Sequence, residues 1–112
     1  MSKFGLYSDK SAIPFENHLE WLEEQTKTSI LNLRNFVKSL GDNVIEEVRP
    51  HRIVYAKSLT FRTFLDIQPK KDSLTISLRK SRNESTTNHT VKTVEEIEDV
   101  KAQIAEAYEK IK

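Results

Sequence analysis

Hydrophobic and polar residues alternate between Phe61 and Arg79, which predicts a β-hairpin with one apolar and one polar face. The apolar parity carries aliphatic side chains and one aromatic: Phe61, Leu65, Ile67, Leu74, Ile76 and Leu78. The opposite parity carries polar side chains and one aromatic: Arg62, Phe64, Asp66, Thr75, Ser77 and Arg79. The segment 69–72, Pro-Lys-Lys-Asp, supplies the turn, because proline cannot donate to a strand ladder. Helices are needed to cover the apolar face.

Two helices are predicted before the strands. Apolar residues three and four positions apart indicate a short helix over about 16–25, with Trp21 buried between it and the sheet. Thr26 to Thr28 interrupts this pattern, and Thr28 is a candidate cap for a second helix whose stripe runs from Ile30 to Leu40. Gly41 follows the last apolar position, which predicts a left-handed helix end.

The last helix has the most complete sequence signature. Thr93 and Glu96 form a capping-box pattern ahead of an apolar stripe that comprises Ile97, Val100, Ile104, Tyr108 and Ile111. Acidic residues crowd the first turn and lysines the last, as the helix dipole favours. The stripe suits packing on the sheet and would also suit a two-heptad coiled coil.

These elements predict an α+β fold with two N-terminal helices, a three- to four-stranded antiparallel meander and a long C-terminal helix packed on one sheet face. Strands are predicted near 52–57, 61–68 and 73–79, with 44–48 as a candidate fourth. The polar segment 80–91 reads as a mobile loop, residues 1–12 as flexible, and 1–112 as a single domain.

Composition argues against several kinds of chemistry. The chain has two glycines, three widely spaced histidines and no cysteine, so a phosphate loop, a metal site and a thiol nucleophile have no sequence support. No serine lies in a nucleophile-elbow motif. Neither a signal peptide nor an apolar run of membrane-spanning length occurs, which predicts a cytoplasmic location without membrane contact. We therefore predict a protein without catalytic activity, metal or cofactor.

The charge distribution suggests a binding role. Residues 49–92 carry ten basic and three acidic side chains, whereas the segments on either side are each net −3. Such a basic region attracts polyanions, and it also follows from the lysine and arginine that keep a sheet soluble. The polyanion hypothesis assigns DNA or RNA phosphate contacts to arginines and a lysine, with Phe64 as a platform for stacking a base: Arg52, Arg62, Arg79, Lys80 and Arg82.

Two alternatives remain open at the level of sequence. One is a protein-interaction or homodimerisation module that uses a sheet edge, Phe64 and Tyr55, or the stripe of the last helix. The other is a small enzyme whose site has no recognisable motif.

The order of the segments resembles a family of small bacterial and archaeal domains of unknown function, often labelled predicted transport proteins. The likeness covers residues 18–110, and its most specific part is a helix ending in Ser-Leu-Gly-Asp, 39–42, followed by the Tyr-Ala-Lys strand, 55–57. Segment 81–92 is shorter than in the family and lacks glycine. The resemblance implies an α+β domain, sometimes fused to restriction-type nuclease or DNA-binding regions, and it implies no activity.

Overall fold

The alternating segments form a five-stranded antiparallel sheet in the computed structural model, which describes residues 13–57, 62–80 and 86–111. The strands follow one another in sequence order as a meander: β1 (Val44–Val48), β2 (Ile53–Lys57), β3 (Arg62–Lys70), β4 (Ser73–Leu78) and β5 (Thr87–Val91). The candidate strand β1 is confirmed. The hairpin turn is only Lys71 and Asp72, because Pro69 lies within β3 opposite Leu74.

The described residues form three helices beside the sheet: α1 (Glu16–Leu19), α2 (Glu24–Lys38) and α3 (Val94–Lys110). Apolar side chains of α2 and α3 share one hydrophobic core with alternate residues of the central strands, such as Ile53, Leu65 and Ile76. Both long helices therefore cover the same face of the sheet, here named the helix-covered face. No described helix packs on the opposite face, here named the helix-free face. The α+β class and the packing of the C-terminal helix are confirmed. No helix among the described residues is long and apolar enough to cross a membrane.

The fifth strand corrects the prediction of a mobile loop over 80–91. β5 pairs with β4 in the register Leu74↔Val91 to Leu78↔Thr87. Most of its residues are polar and exposed, because β5 is at the sheet edge, so it lacks the apolar alternation that indicates a half-buried strand. Residues 81–85 of the predicted loop lie outside the described residues, as does the segment 1–12 that was predicted to be flexible.

The N-terminal helices also differ from the prediction. The first helix ends at Leu19, and α2 begins at Glu24, so the threonines predicted to separate two helices lie inside α2. Tertiary contacts explain this, since Thr26 is buried and the Glu23 N–H donates to the Lys71 carbonyl at 2.9 Å, tying the start of α2 to the hairpin turn. Trp21 lies in the connection and is 46% exposed, so the prediction of its burial is wrong.

Gly41 has a steric role in place of the predicted left-handed conformation. A Cβ atom at this position would overlap the hydroxyl of Tyr108, which is hydrogen-bonded to Asn43 Oδ1. The glycine therefore lets the end of α3 approach the connection between α2 and β1. This contact holds the C-terminal part of α3 over the sheet.

Candidate polyanion-binding cleft

A β-bulge in β3 determines which side chains reach each face of the sheet. Tyr55 pairs with Leu65 and Ala56 pairs with Thr63, so that Phe64 is an additional residue in β3. In a bulge the extra residue interrupts the alternation of side chains. The parity that the sequence predicts for β3 therefore holds from Leu65 to Pro69 and fails at Phe64 and Arg62.

Phe64 is fully buried, which contradicts its predicted place on the polar face. Its ring packs edge-to-face against Tyr108 of α3, with the ring centroids 5.3 Å apart and the planes at 72°. The bulge provides the physical reason, because it turns Phe64 toward the helices while the Phe64 carbonyl still accepts the Arg79 N–H at 3.1 Å. Phe64 cannot serve as a stacking platform in this structure.

Three of the predicted phosphate contacts meet beside this bulge. Arg52, Arg62 and Arg79 line a cleft of about 540 Å³, here named the arginine cleft. They come from positions next to or within three neighbouring strands, β2, β3 and β4. The remaining lining includes polar side chains and atoms from the adjacent core: Thr63, Asp66, Ser77, Thr86, Phe64, Leu65 and Ile111.

Asp66 is the carboxylate among the described residues that line the arginine cleft. Its Oδ2 accepts a hydrogen bond from Arg52 Nη1 at 2.9 Å, and the Arg52 side chain is 45% exposed. A guanidinium has five N–H donors, so this single contact leaves Arg52 able to bind an anion. Sequence reasoning placed Asp66 on the polar parity without assigning it a role, although the antiparallel register of β2 and β3 could have paired it with Arg52.

Lys80, a fourth predicted contact, is not among the residues that line the arginine cleft. Lys80 donates to Glu106 of α3 at 2.9 Å, and Lys110 binds the second oxygen of the same carboxylate at 2.9 Å. Hydrogen bonds from these two lysines lower the pKa of Glu106 to about 2. Lys80 thus joins β4 to α3, while Arg82 lies outside the described residues.

A second cluster of charged groups lies on the helix-covered face. Glu46 of β1 accepts two hydrogen bonds from Arg34 of α2, at 2.8 and 2.9 Å, and one from the Tyr55 hydroxyl at 2.6 Å. Burial alone would raise the pKa of Glu46, but these hydrogen bonds and the charges of Arg34 and Lys38 outweigh it and hold that pKa below its ordinary value. Burial and the hydrogen bond to Glu46 raise the pKa of Tyr55.

This second cluster has the features of a structural link. The Arg34 guanidinium also stacks over Phe15, with 4.1 Å from its carbon to the ring centroid. Each polar group therefore has a partner within the chain, and together they fasten the edge strand β1 to α2. A buried polar group with all of its hydrogen bonds satisfied has little capacity left for a ligand.

The histidines do not combine into a metal site. His18 is buried and its Nε2 is 2.7 Å from the Arg49 carbonyl oxygen, so one ring nitrogen makes a structural contact. No group of three or more histidine and carboxylate side chains able to hold a metal occurs among the described residues.

Comparison with protein-family models, curated proteins and solved structures finds no match to this chain. The resemblance to the family of small domains stays a prediction, and the arginine cleft is interpreted from its own geometry.

Proposed function

We propose that the chain is a non-enzymatic binding module that holds a phosphate-bearing polyanion in the arginine cleft, with weak nucleic-acid binding as the specific case. The proposal rests on one observation: Arg52, Arg62 and Arg79 come from separate strand positions and line a single cleft. Arginine suits this role, because its planar fork of donors matches the oxygens of a phosphate group.

The burial of Phe64 narrows the proposed mode of binding. Without a stacking aromatic, the affinity comes from phosphate contacts, which carry no direct sequence information. We therefore expect single- and double-stranded oligonucleotides of any sequence to bind, with an affinity that falls as salt increases. A volume of about 540 Å³ is also sufficient for one or two phosphate groups with their sugars.

The cleft supports binding more than catalysis. Among the described residues that line it, Asp66 is the one carboxylate and is paired with Arg52, and none is a histidine. A general acid or base would need a titratable group directed at the ligand. Absence of activity remains part of the proposal.

Several side chains that the sequence suggests for protein interaction are buried within the fold. Tyr55 and Phe64 are fully buried, and Val100 and Ile104 of the α3 stripe pack in the core. Dimerisation through these side chains would require the chain to unfold locally. The arginine cleft requires no such change.

The test is fluorescence anisotropy with labelled oligonucleotides between about 50 and 200 mM salt. If three phosphates are contacted, the logarithm of the association constant should fall against the logarithm of salt concentration with a slope of about 2 to 3. The double substitution Arg62→Glu and Arg79→Glu should abolish binding.

A matched control is available on the same hairpin. Lys70→Glu with Lys71→Glu makes the same change in net charge at exposed positions near the turn, about 25 Å along the strand from Arg62. The control should retain most of the affinity. Absence of binding at about 50 mM salt, or equal losses in the two double variants, would contradict the proposal.

A further inference from the structure

The outer edge of β5 lies beside acidic side chains, in contrast to the arginine cleft. Within the described parts of the chain β5 pairs with β4 alone, so alternate backbone N–H and C=O groups of Thr87–Val91 point away from the sheet. Beside this edge lies a groove of about 380 Å³, here named the β5 groove, lined by Asn88, His89, Thr90, Val91, Glu96, Asp99 and Val100.

The two edges of the sheet differ in how they are protected. On β1, Glu46 points inward, Glu47 is paired with Arg49, and the Ile13 N–H donates to the Val48 carbonyl at 3.3 Å. Inward charges and edge coverage of this kind prevent pairing with another strand. β5 contains neither proline nor a charged residue, and three of its five residues are β-branched.

Two side-chain features indicate what the β5 groove would bind. Glu96 Oε1 accepts the N–H groups of Lys92 and Thr93 at 2.6 and 3.2 Å, which fixes this carboxylate beside the groove. Asp99, one turn further along α3, is exposed and makes no ion pair among the described residues. In addition, Nε2 of His89 is buried and has no hydrogen-bond partner there.

We propose that the β5 edge binds an extended peptide segment with lysine or arginine at alternate positions, which adds a sixth strand to the sheet. Main-chain hydrogen bonds to β5 would supply affinity, and contacts of the basic side chains with Glu96 and Asp99 would supply selectivity. A polar group of the peptide that approaches His89 would satisfy its buried nitrogen.

Charge favours this peptide over a second copy of the chain. Pairing of two β5 edges would bring two copies of Glu96 and Asp99 to the same seam, and like charges in an interface oppose association. A basic segment places opposite charges there. This surface is independent of the arginine cleft, which binds anions on other strands.

The test uses the whole chain and a capped synthetic peptide of about ten residues that alternates threonine and lysine. Binding is measured by anisotropy, and amide chemical shifts in Thr87–Val91 and around Asp99 locate the site. The same peptide with glutamate in place of lysine should not bind. Asp99→Lys should weaken binding about tenfold, because it replaces attraction with repulsion.

Two control comparisons separate strand addition from general charge attraction. Glu109→Lys makes the same charge change at an exposed site near the other end of α3 and should leave the affinity unchanged. Thr87→Pro and Thr90→Pro remove backbone donors that point to opposite sides of β5, since the positions are three apart. Loss of the donor that pairs with β4 should lower the melting temperature, whereas loss of the donor that points outward should not. The variant that keeps the melting temperature of the parent is therefore the one without the outward donor, and it should no longer bind the peptide.

Three results would overturn the proposal. One is binding that persists in the variant lacking the outward donor, and another is equal binding of the glutamate peptide. The third is sedimentation of the free chain as a dimer that the same variant dissociates, which would identify a second copy as the occupant of the edge.

Discussion

Two arginine–carboxylate pairs lie on opposite faces of the sheet and differ in their surroundings. Arg34 and Glu46 make two parallel hydrogen bonds on the helix-covered face, and the Glu46 side chain is 13% exposed. Arg52 and Asp66 share one hydrogen bond on the helix-free face, where the Arg52 side chain is 45% exposed. The same chemistry therefore joins elements in one place and lines a cleft in the other.

The difference shows why an arginine on a sheet is not by itself a binding residue. A largely buried carboxylate that accepts three hydrogen bonds cannot lose its partners without leaving charge unpaired, which costs several kcal/mol. An exposed single-contact pair contributes about 0–1 kcal/mol, so a phosphate can replace the carboxylate at small cost. Binding is expected where the internal pairing is weak.

The largest expected effect comes from Phe64, whose side chain we assign to the covered face. Phe64→Ala should destabilise the chain by about 3–5 kcal/mol, because it removes a fully buried ring that packs on Tyr108. Urea unfolding measures this loss. Phe64→Leu keeps most of the volume and should stay folded with unchanged oligonucleotide affinity. A clear loss of affinity would show that the Phe64 ring contributes to binding at the cleft that it lines.

The two ion pairs should differ in their contribution to stability. Glu46→Gln should lower the free energy of unfolding by about 2 kcal/mol, because Arg34 keeps a half-buried charge without its counterion. Asp66→Asn should change it by less than about 0.5 kcal/mol. Equal effects in urea unfolding would remove the distinction between a structural pair and a cleft pair.

Acid should weaken the ion pair between Arg34 and Glu46 on the helix-covered face. Because the folded chain holds the pKa of Glu46 below its ordinary value of about 4.3, the unfolded chain binds a proton more readily. The stability that Glu46 provides is complete above this value and is lost as pH falls through the folded pKa. The difference in unfolding free energy between the parent and Glu46→Gln should therefore shrink toward pH 3.

Taking the difference in unfolding free energy between the parent and Glu46→Gln makes this measurement specific to Glu46. Glu106 also has a lowered pKa, but it is present in both proteins, so its effect cancels. A difference that stays constant between about pH 6 and pH 3 would show that Glu46 stabilises the fold through shape and not through its charge.

The smallest effect should appear in binding at the exposed pair. Asp66→Asn removes the carboxylate from the arginine cleft and should tighten oligonucleotide binding about two- to fivefold at low salt. Asp72→Asn, at the exposed hairpin turn, makes the same charge change away from the cleft and serves as the control. Weaker binding by Asp66→Asn would mean that Asp66 positions Arg52 for the ligand.

Local signals in the sequence predicted the parts of the fold that depend on near neighbours. The capping box of α3 is confirmed, since Thr93 Oγ1 accepts the Glu96 N–H at 3.2 Å and Glu96 accepts the Thr93 N–H. Its residues lie three apart, so their contact follows from helix geometry alone. The alternation of β4, and that of β3 from Leu65 to Pro69, likewise needed no knowledge of other elements.

The remaining features depend on contacts between distant residues. α2 begins at Glu24 because its preceding residue bonds to the hairpin turn, and β5 is a strand because β4 offers it an edge. The charge pattern of the sequence indicates Arg52, Arg62 and Arg79 as candidate contacts. Their position around one cleft depends on the register of three strands, which the sequence does not show. No spacing within one strand could reveal that Phe64 is an additional residue.

The bulge has a consequence for comparing this chain with other sequences. The positions of Arg62 and Arg79 relative to each other depend on one extra residue in β3, and the Phe64 carbonyl holds the Arg79 backbone at that point. A chain that retained all three arginines but lacked one residue between positions 62 and 65 would present them differently. We therefore expect proteins that have this cleft to share the number of residues that separate Arg62 from Leu65 in β3, as well as the three arginines.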